Sequence, residues 1–355
     1  MSKILYAASN MTHINNFHLG YIEALRSHGH TVSVMARGEG ADYDIPFEKK
    51  LFSAKNTACR RRIREIIKKE RFDAIILNTT LAAFHIRLAL PRGVRPRVIN
   101  IVHGYLFSNN TGFIKKTLLS LCERLVARRT DAIIVMNEED RGIAERMRLC
   151  RGKISSVDGV GVAVRDIITP PEKLRAEYGE GKYSLLFVGE LSARKNQEFL
   201  ISALPKIRER IPNAVLWLVG EGALREKLEK LAERLGCAEF VTFFGKRTDA
   251  CDFMRACDLY VSAAKIEGLP FNVVEALGCG CYTVISDIKG HRDVVNSTRV
   301  GSLYPEGDAS AFIEAVLLAH EKGLSGSSAS QERYAFFEKK RVFPLVLEAI
   351  ESELK

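Results

Sequence analysis

The sequence lacks most of the features that would mark a membrane-spanning, metal-binding or disulfide-bonded protein. No run approaches the roughly 18 apolar residues that a transmembrane helix needs. The eight cysteines form no C-x-x-C pair and no zinc-type spacing, so we expect reduced, buried thiols. No G-x-G-x-x-G follows the first apolar run, which argues against a nicotinamide dehydrogenase. The opening MSKILYAASN has neither the apolar stretch nor the cleavage site of a signal peptide, and a cytoplasmic protein is expected.

Positive charge is abundant and unevenly spread. The 355 residues carry a formal net charge of +10. Residues 1–165 hold 28 Lys/Arg against 15 Asp/Glu, whereas the remainder holds 25 against 28. This imbalance favours an anionic partner for the first half, with a solvated basic face as the alternative. Nucleic acid fits poorly, because the arginine run at 60–62 has no interleaved aromatic residues.

Apolar runs alternate with helical patterns along the chain. Runs such as KILYAA (3–8) and DAIILN (73–78) are typical of strands in a parallel sheet that is covered on both faces. Residues 150–182, with several glycines and two adjacent prolines, interrupt the pattern before it resumes at YSLLFVGE (183–190). We therefore predict an α/β protein of two Rossmann-like, doubly wound domains that face a central cleft. The predicted parts are domains 1–165 and 166–330 and a terminal helix in 331–355, interrupted near Pro344, that packs back toward the first domain.

Two glutamates stand eight residues apart in IEGLPFNVVEALGCG. Glu267 follows a strand, and Glu275 lies inside a helix that starts near Pro270. A helix N-terminus attracts phosphate, and a carboxylate can accept two hydrogen bonds from a sugar diol. The pattern favours a nucleotide-sugar site, and the alternative is one glutamate stabilised by the helix dipole and one solvated glutamate. Because proline has no N–H, phosphate contacts are expected from Leu269, Phe271 or Asn272.

This stretch resembles the E-x7-E signature of retaining glycosyltransferases with the two-domain GT-B fold, in particular glycosyltransferase family 4. Further segments that resemble the family follow in its order. They are NIVHGYLF (100–107), VGELSARKNQEFLI (188–201), VGEG (219–222), FFGKR (243–247) and SDIKGHRDVV (286–295). Residues 13–36 and 122–140 resemble members that build bacterial capsular and exopolysaccharides. The resemblance extends over about residues 3–320.

The resemblance implies roles for the matching residues. Lys195 would neutralise the departing diphosphate, and Glu267 and His103 would contact the donor sugar near the reacting carbon. Glu275 would bind the ribose. Nucleotide contacts are also implied for Arg194, Gly189, Gly220, Gly222, Gly245 and Lys246. The candidate acceptor-binding residues are His13, Asn15, Asn16 and Tyr105.

The expected activity is retaining transfer of a sugar from a nucleotide-sugar, with UDP as the expected nucleotide, to a lipid-linked saccharide in capsule, exopolysaccharide or O-antigen synthesis. No metal or other cofactor is expected, because Lys195 and Arg194 can supply the positive charge. The basic segments 59–71 and 113–129 carry apolar stripes and are candidate membrane-surface helices, or they pack on the sheet. The open alternatives are a sugar-nucleotide epimerase on the same fold and a non-catalytic nucleotide-sugar-binding partner of another transferase.

Overall fold

The computed structural model describes residues 1–48, 53–91, 93, 95–107, 111–326 and 328–354. Its internal contacts divide the chain into two units, Met1–Gly161 with Lys339–Lys355, and Val162–Glu338. This division falls a few residues before the predicted boundary at 165. It also divides the predicted terminal segment 331–355 between the two units.

The first unit is an α/β layer structure around a parallel sheet. Its strands are β1 (Lys3–Ala7), β2 (Thr31–Ala36), β3 (Tyr43–Asp44), β4 (Ala74–Asn78), β5 (Arg97–Val102), β6 (Ala132–Val135) and β7 (Ile154–Ser156). They pair in the order β3-β2-β1-β4-β5-β6-β7. The helices are α1 (Met11–Phe17), α2 (Leu19–Ser27), α3 (Ala54–Glu70), α4 (Thr80–Ala89), α5 (Phe113–Ala127), α6 (Glu138–Met147) and the distant α15 (Lys339–Ser352). Every residue of β4 is buried, as expected of a strand that is covered on both faces.

The second unit repeats this plan with six parallel strands. They are β8 (Tyr183–Val188), β9 (Ala214–Val219), β10 (Val241–Gly245), β11 (Leu259–Ser262), β12 (Thr283–Asp287) and β13 (Gly301–Pro305), in the order β10-β9-β8-β11-β12-β13. The helices are α7 (Pro171–Leu174), α8 (Gln197–Arg208), α9 (Arg225–Arg234), α10 (Ala250–Ala256), α11 (Phe271–Gly278), α12 (His291–Val294), α13 (Ala309–Glu321) and α14 (Ser328–Tyr334). A π-helical turn (Arg175–Gly179) and a 3-10 turn (Ala238–Phe240) complete the unit.

Each sheet has a topological switch point at its first strand. β1 pairs with both β2 and β4, and β8 pairs with both β9 and β11. The chain connections leave such a strand in opposite directions, which opens a crevice at the carboxyl ends of the strands. The predicted doubly wound α/β architecture is confirmed in both units, and the candidate sites follow these strand ends.

The C-terminal region differs from its prediction. The expected single helix is two helices, α14 and α15, separated by residues 335–338. Pro344 lies inside α15 and does not interrupt it. The prediction also missed β13 and α6, which continue the alternation of strands and helices.

The two basic helices of the first unit have opposite environments. In α3, Ile63 and Ile67 are fully buried in the core, so of the two alternatives for this helix the structure has packing on the sheet. In α5, Ile114, Leu121 and Leu125 are 83%, 64% and 65% exposed. Among the described residues, no helix is both long enough and apolar enough to cross a bilayer.

Candidate active site

Glycines join the ends of three neighbouring strands in the second unit. The Gly189 N–H donates to the Val219 carbonyl at 2.9 Å, and the Gly220 N–H donates to the Gly245 carbonyl at 2.8 Å. A Cβ at Gly220, where φ is +142°, would lie 1.9 Å from the Gly189 carbonyl oxygen. The backbones after β8 and β9 therefore approach each other too closely for a side chain.

A buried carboxylate holds two cations beside these turns. Glu267 follows β11 and is 8% exposed. Its Oε1 lies 2.7 Å from Lys195 Nζ and 2.7 Å from Arg194 Nη1. Burial acts to raise the pKa of Glu267, but Lys195 and Arg194 outweigh it and hold that pKa below its ordinary value. The cluster therefore has one more positive than negative charge, a setting that suits an anionic ligand.

Asn272 fixes the start of α11 against β8 and supports Lys195. Its Nδ2 donates to the Val188 carbonyl and the Tyr260 hydroxyl, both at 2.8 Å. Its Oδ1 accepts from Lys195 Nζ at 3.3 Å. The amide thus orients the lysine for which the family resemblance implies a role at the diphosphate.

The backbone donors near Pro270 are only partly available. The Phe271 N–H already donates to the Leu269 carbonyl at 3.1 Å, which weighs against its predicted phosphate contact. Within the described parts of the chain, the N–H groups of Leu269 and Asn272 have no partner. These two N–H groups are the ones that an anion at this helix start can use.

Glu275 lies in the second turn of α11 and is half-buried. Burial raises its pKa to about 7, and the nearby Cys251 adds to the effect while Arg165 and Lys195 oppose it. The carboxyl group is therefore partly protonated near neutral pH. Hydroxyl donors from a ligand would stabilise its charged form.

His291 was not predicted as a site residue. The preceding Gly290, at φ +80°, would bring a Cβ within 2.3 Å of the Gly268 carbonyl, so this loop packs tightly on the Glu267 loop. His291 Nδ1 lies 2.7 Å from the Ser286 carbonyl oxygen, and burial lowers the pKa of the ring to about 4. Its buried Nε2 has no partner in the described structure. In the sequence, the pair Gly290-His291 shortly after a strand was the signal that could have revealed His291 as a site residue.

The other predicted nucleotide residues lie near the same strand ends. A Cβ at Gly222 would lie 2.2 Å from the Leu191 carbonyl oxygen. Gly245 has φ +69° at the end of β10, and the following Lys246 is exposed. Arg194 is half exposed, and its Nη1 also donates to the Ile266 carbonyl at 3.3 Å.

In the first unit, three histidines cluster at the end of β5. The ring centres of His13 and His103 are 4.7 Å apart, those of His18 and His103 4.9 Å, and those of His13 and His18 5.1 Å. His18 Nε2 lies 2.9 Å from His103 Nε2, and the Tyr6 hydroxyl lies 2.8 Å from His18 Nδ1. Burial lowers the pKa of all three rings, that of His13 to about 4. The rings are therefore uncharged at neutral pH.

The remaining acceptor candidates have different environments. Asn15 and Asn16 are exposed on α1. Tyr105 is only 2% exposed and stacks on Phe107 with ring centres 5.5 Å apart. This core position does not support the predicted contact of Tyr105 with an acceptor.

Comparison with known families identifies the class of protein. Residues 172–335 match the family model for glycosyl transferases group 1. Residues 18–157 match the model for glycosyltransferase family 4. The chain belongs to these glycosyltransferases and is a family-4-type enzyme with the GT-B fold.

The chain is also similar to individual glycosyltransferases and to a solved structure. The chain is 29% identical to the putative glycosyltransferase EpsD of Bacillus subtilis over 90% of this chain and 88% of the relative. It is 26% identical to an Escherichia coli UDP-Gal:alpha-D-GlcNAc-diphosphoundecaprenol alpha-1,3-galactosyltransferase over 71% of this chain and 67% of that one. Among solved structures, Anabaena Alr3699/HepE in complex with UDP and glucose superposes with a TM-score of 0.78 at 19% identity, over 99% of this chain and 100% of that one. At 19% identity, this superposition shows a shared fold and does not by itself show a shared function.

Proposed function

We propose that this protein transfers a sugar, with retention of anomeric configuration, from a UDP-sugar to a lipid-linked saccharide during assembly of a bacterial surface polysaccharide. The observation that carries the proposal is the cluster of Lys195, Arg194 and Glu267 beside the start of α11. The E. coli relative is named for a UDP-sugar and a diphosphoundecaprenol-linked acceptor, and the HepE structure contains UDP. Both support the same substrate classes for this chain.

The cation cluster suits the departure of a nucleoside diphosphate. When the bond between the sugar's anomeric carbon and the phosphate oxygen breaks, negative charge grows on that oxygen. Lys195, already oriented by Asn272 and Glu267, can stabilise this charge without reorganisation. The acceptor hydroxyl bonds to the anomeric carbon and releases its proton to the leaving phosphate. Lys195 and Arg194 supply the positive charge, so we propose that the transfer needs no metal.

Glu275 is proposed to bind the ribose. Its carboxylate can accept hydrogen bonds from both vicinal hydroxyls, and its half-buried environment excludes competing water. Glu267 is proposed to contact donor-sugar hydroxyls through Oε2, because both cations contact Oε1. The two glutamates then bind different parts of one donor.

The exposed stripe of α5 supports a membrane-bound acceptor. Ile114, Leu118, Leu121 and Leu125 recur at helical spacing and are all largely exposed. Lys115, Lys116 and Arg124 flank them on the same helix. Such a helix can insert its apolar side at an anionic membrane surface while its basic residues bind headgroups. We propose that the protein binds the cytoplasmic face of the membrane peripherally through α5.

A transfer assay tests the proposal. The purified protein is incubated with a panel of UDP-hexoses and UDP-N-acetylhexosamines and a synthetic polyprenyl-diphosphate-linked saccharide. Mass spectrometry and the proton NMR coupling at the new anomeric centre are expected to reveal one added sugar with retained configuration. An inverted product would refute the retaining mechanism. An epimerised nucleotide-sugar formed without any acceptor would refute the transferase assignment of the site.

A further inference from the structure

The histidine cluster of the first unit has the geometry of a transition-metal site. One ring nitrogen from each of His13, His18 and His103 lies within 4.8 Å of those of the other two. Imidazoles bound to one tetrahedral metal through bonds of about 2.0–2.1 Å have ring centres about 5 Å apart. The observed separations of 4.7, 4.9 and 5.1 Å agree with that arrangement.

The hydrogen bonds around the cluster also suit a metal. A buried ring nitrogen without a partner in the described chain remains at His13 Nε2. Leaving such a group unpaired costs roughly 1–3 kcal/mol. The Nε2 atoms of His18 and His103 face each other at 2.9 Å, joined by a hydrogen bond in which one ring donates its N–H, and a metal ion between them would replace that shared proton.

Tyr6 supplies the second shell that a histidine ligand requires. Its hydroxyl lies 2.8 Å from His18 Nδ1, and Tyr6 is fully buried. A ligating histidine usually forms a hydrogen bond through its other ring nitrogen, which fixes the ring and its tautomer. Tyr6 therefore leaves His18 Nε2 directed at the centre of the cluster.

We propose that His13, His18 and His103 bind one late transition-metal dication of the Zn²⁺ class, and that its binding inhibits the enzyme. Three neutral imidazoles suit such an ion, whereas Mg²⁺ and Ca²⁺ prefer oxygen ligands. Inhibition follows because the metal takes the lone pair of His103, the residue for which the family resemblance implies a contact with the reacting sugar. This consequence rests on the proposed function, but metal binding does not.

The binding experiment uses untagged, full-length protein and needs no turnover. Titration with Co²⁺ is expected to give the visible absorption of a tetrahedral nitrogen site at one equivalent, and Zn²⁺ is expected to displace it. Thiolate-to-cobalt absorption in the near ultraviolet would instead report binding to the free cysteines. His13→Ala should weaken binding by more than the roughly 10–100-fold that loss of an outer-shell partner costs.

Two further variants separate a built site from surface binding. Tyr6→Phe keeps the ring in the core and should weaken Co²⁺ binding by about 10–100-fold. His28→Ala removes a partly exposed histidine of the same unit that pairs with Glu351, and should leave binding unchanged. Equal affinity of the parent, His13→Ala and Tyr6→Phe would overturn the proposed site.

The inhibition arm measures sugar transfer with increasing Zn²⁺. Inhibition should follow the occupancy measured by Co²⁺ competition, and half-inhibition of Tyr6→Phe, relative to its own metal-free rate, should need about 10–100-fold more Zn²⁺ than the parent. Metal binding without inhibition would refute the inhibitory role alone. A protein that binds Co²⁺ at this site but transfers no sugar would count against the proposed function and not against the site.

Discussion

At the carboxyl end of β5 in the first unit, three uncharged imidazoles pack together, whereas beyond β8 and β11 in the second unit one carboxylate holds two cations. The supporting sheets are alike, with parallel strands and a switch point at the first strand. The charge at the strand ends is therefore set by a few loop residues and not by the fold. The strand ends of the second unit therefore carry net positive charge, whereas those of the first carry neutral imidazoles.

The largest expected effect comes from removing a cation of the cluster in the second unit. Lys195→Ala should lower kcat for sugar transfer by roughly 10²–10³, because a fixed charge at the leaving oxygen is lost. Steady-state kinetics with the UDP-sugar found in the transfer assay measure this. Lys227→Ala is the matched control, since that exposed lysine pairs with Glu198 at 2.8 Å in the same unit. Equal kcat for the two variants would remove Lys195 from the reaction.

The glycine contact beneath the charged cluster gives the next effect. Gly220→Ala should lower the free energy of unfolding by about 1–3 kcal/mol or more, because it adds a clash to backbone strain. Gly307→Ala is the control, since Gly307 also has positive φ, +83°, but no described atom lies within 4 Å of the place that its Cβ would take. Urea denaturation compares the two. Equal losses would mean that the close approach of β8 and β9 is unimportant.

Glu275 should make donor binding depend on pH. Its pKa of about 7 in the free protein should fall when ribose hydroxyls bond to the carboxylate, so affinity for the UDP-sugar should drop below pH 7, by at most about tenfold per unit. The UDP-sugar is used because its phosphates do not titrate in this range. Glu275→Gln should bind weakly at every pH, without this dependence. A parent-like slope in the variant would assign the titration to another group.

Glu275 should also make the stability of the fold depend on pH. Because its folded pKa is raised from 4.5 to about 7, the neutral carboxyl group favours folding at low pH. That contribution is lost as pH rises through about 7. Glu275→Gln should therefore be more stable than the parent above pH 7, as thermal unfolding can measure.

The smallest effect distinguishes the two basic helices of the first unit. Replacing Lys115 and Lys116 by alanine should weaken binding to anionic vesicles by about 1 kcal/mol for each residue. The matched pair Lys68 and Lys69 lies on α3, whose apolar side is buried in the core, so its replacement should have a smaller effect. Vesicle sedimentation measures both. Equal losses would indicate general charge attraction and not docking through α5.

The fold was predictable because buried parallel strands are continuous apolar runs, as in β4 and β9. The charged site was partly predictable, because local backbone geometry demands a glycine at Gly220 and because Pro270 directly precedes α11. The burial of individual helix faces was not predictable from the sequence. Helices α3 and α5 have similar sequence patterns, yet only α3 buries its apolar side. The association of His18 and Tyr6 with His103 was also hidden, because it depends on strands and helices distant in sequence.

The central claim is that the second unit binds a nucleoside diphosphate through Lys195 and Glu275. Calorimetric titration of UDP into the parent, Lys195→Ala, Glu275→Ala and the exposed control Glu226→Ala, whose side chain pairs with Lys230 at 2.6 Å, tests it most directly. We expect tight binding by the parent and Glu226→Ala and binding weakened by at least about tenfold in the other two, since each loses a charged hydrogen bond. Parent-like UDP affinity in both Lys195→Ala and Glu275→Ala would contradict the claim.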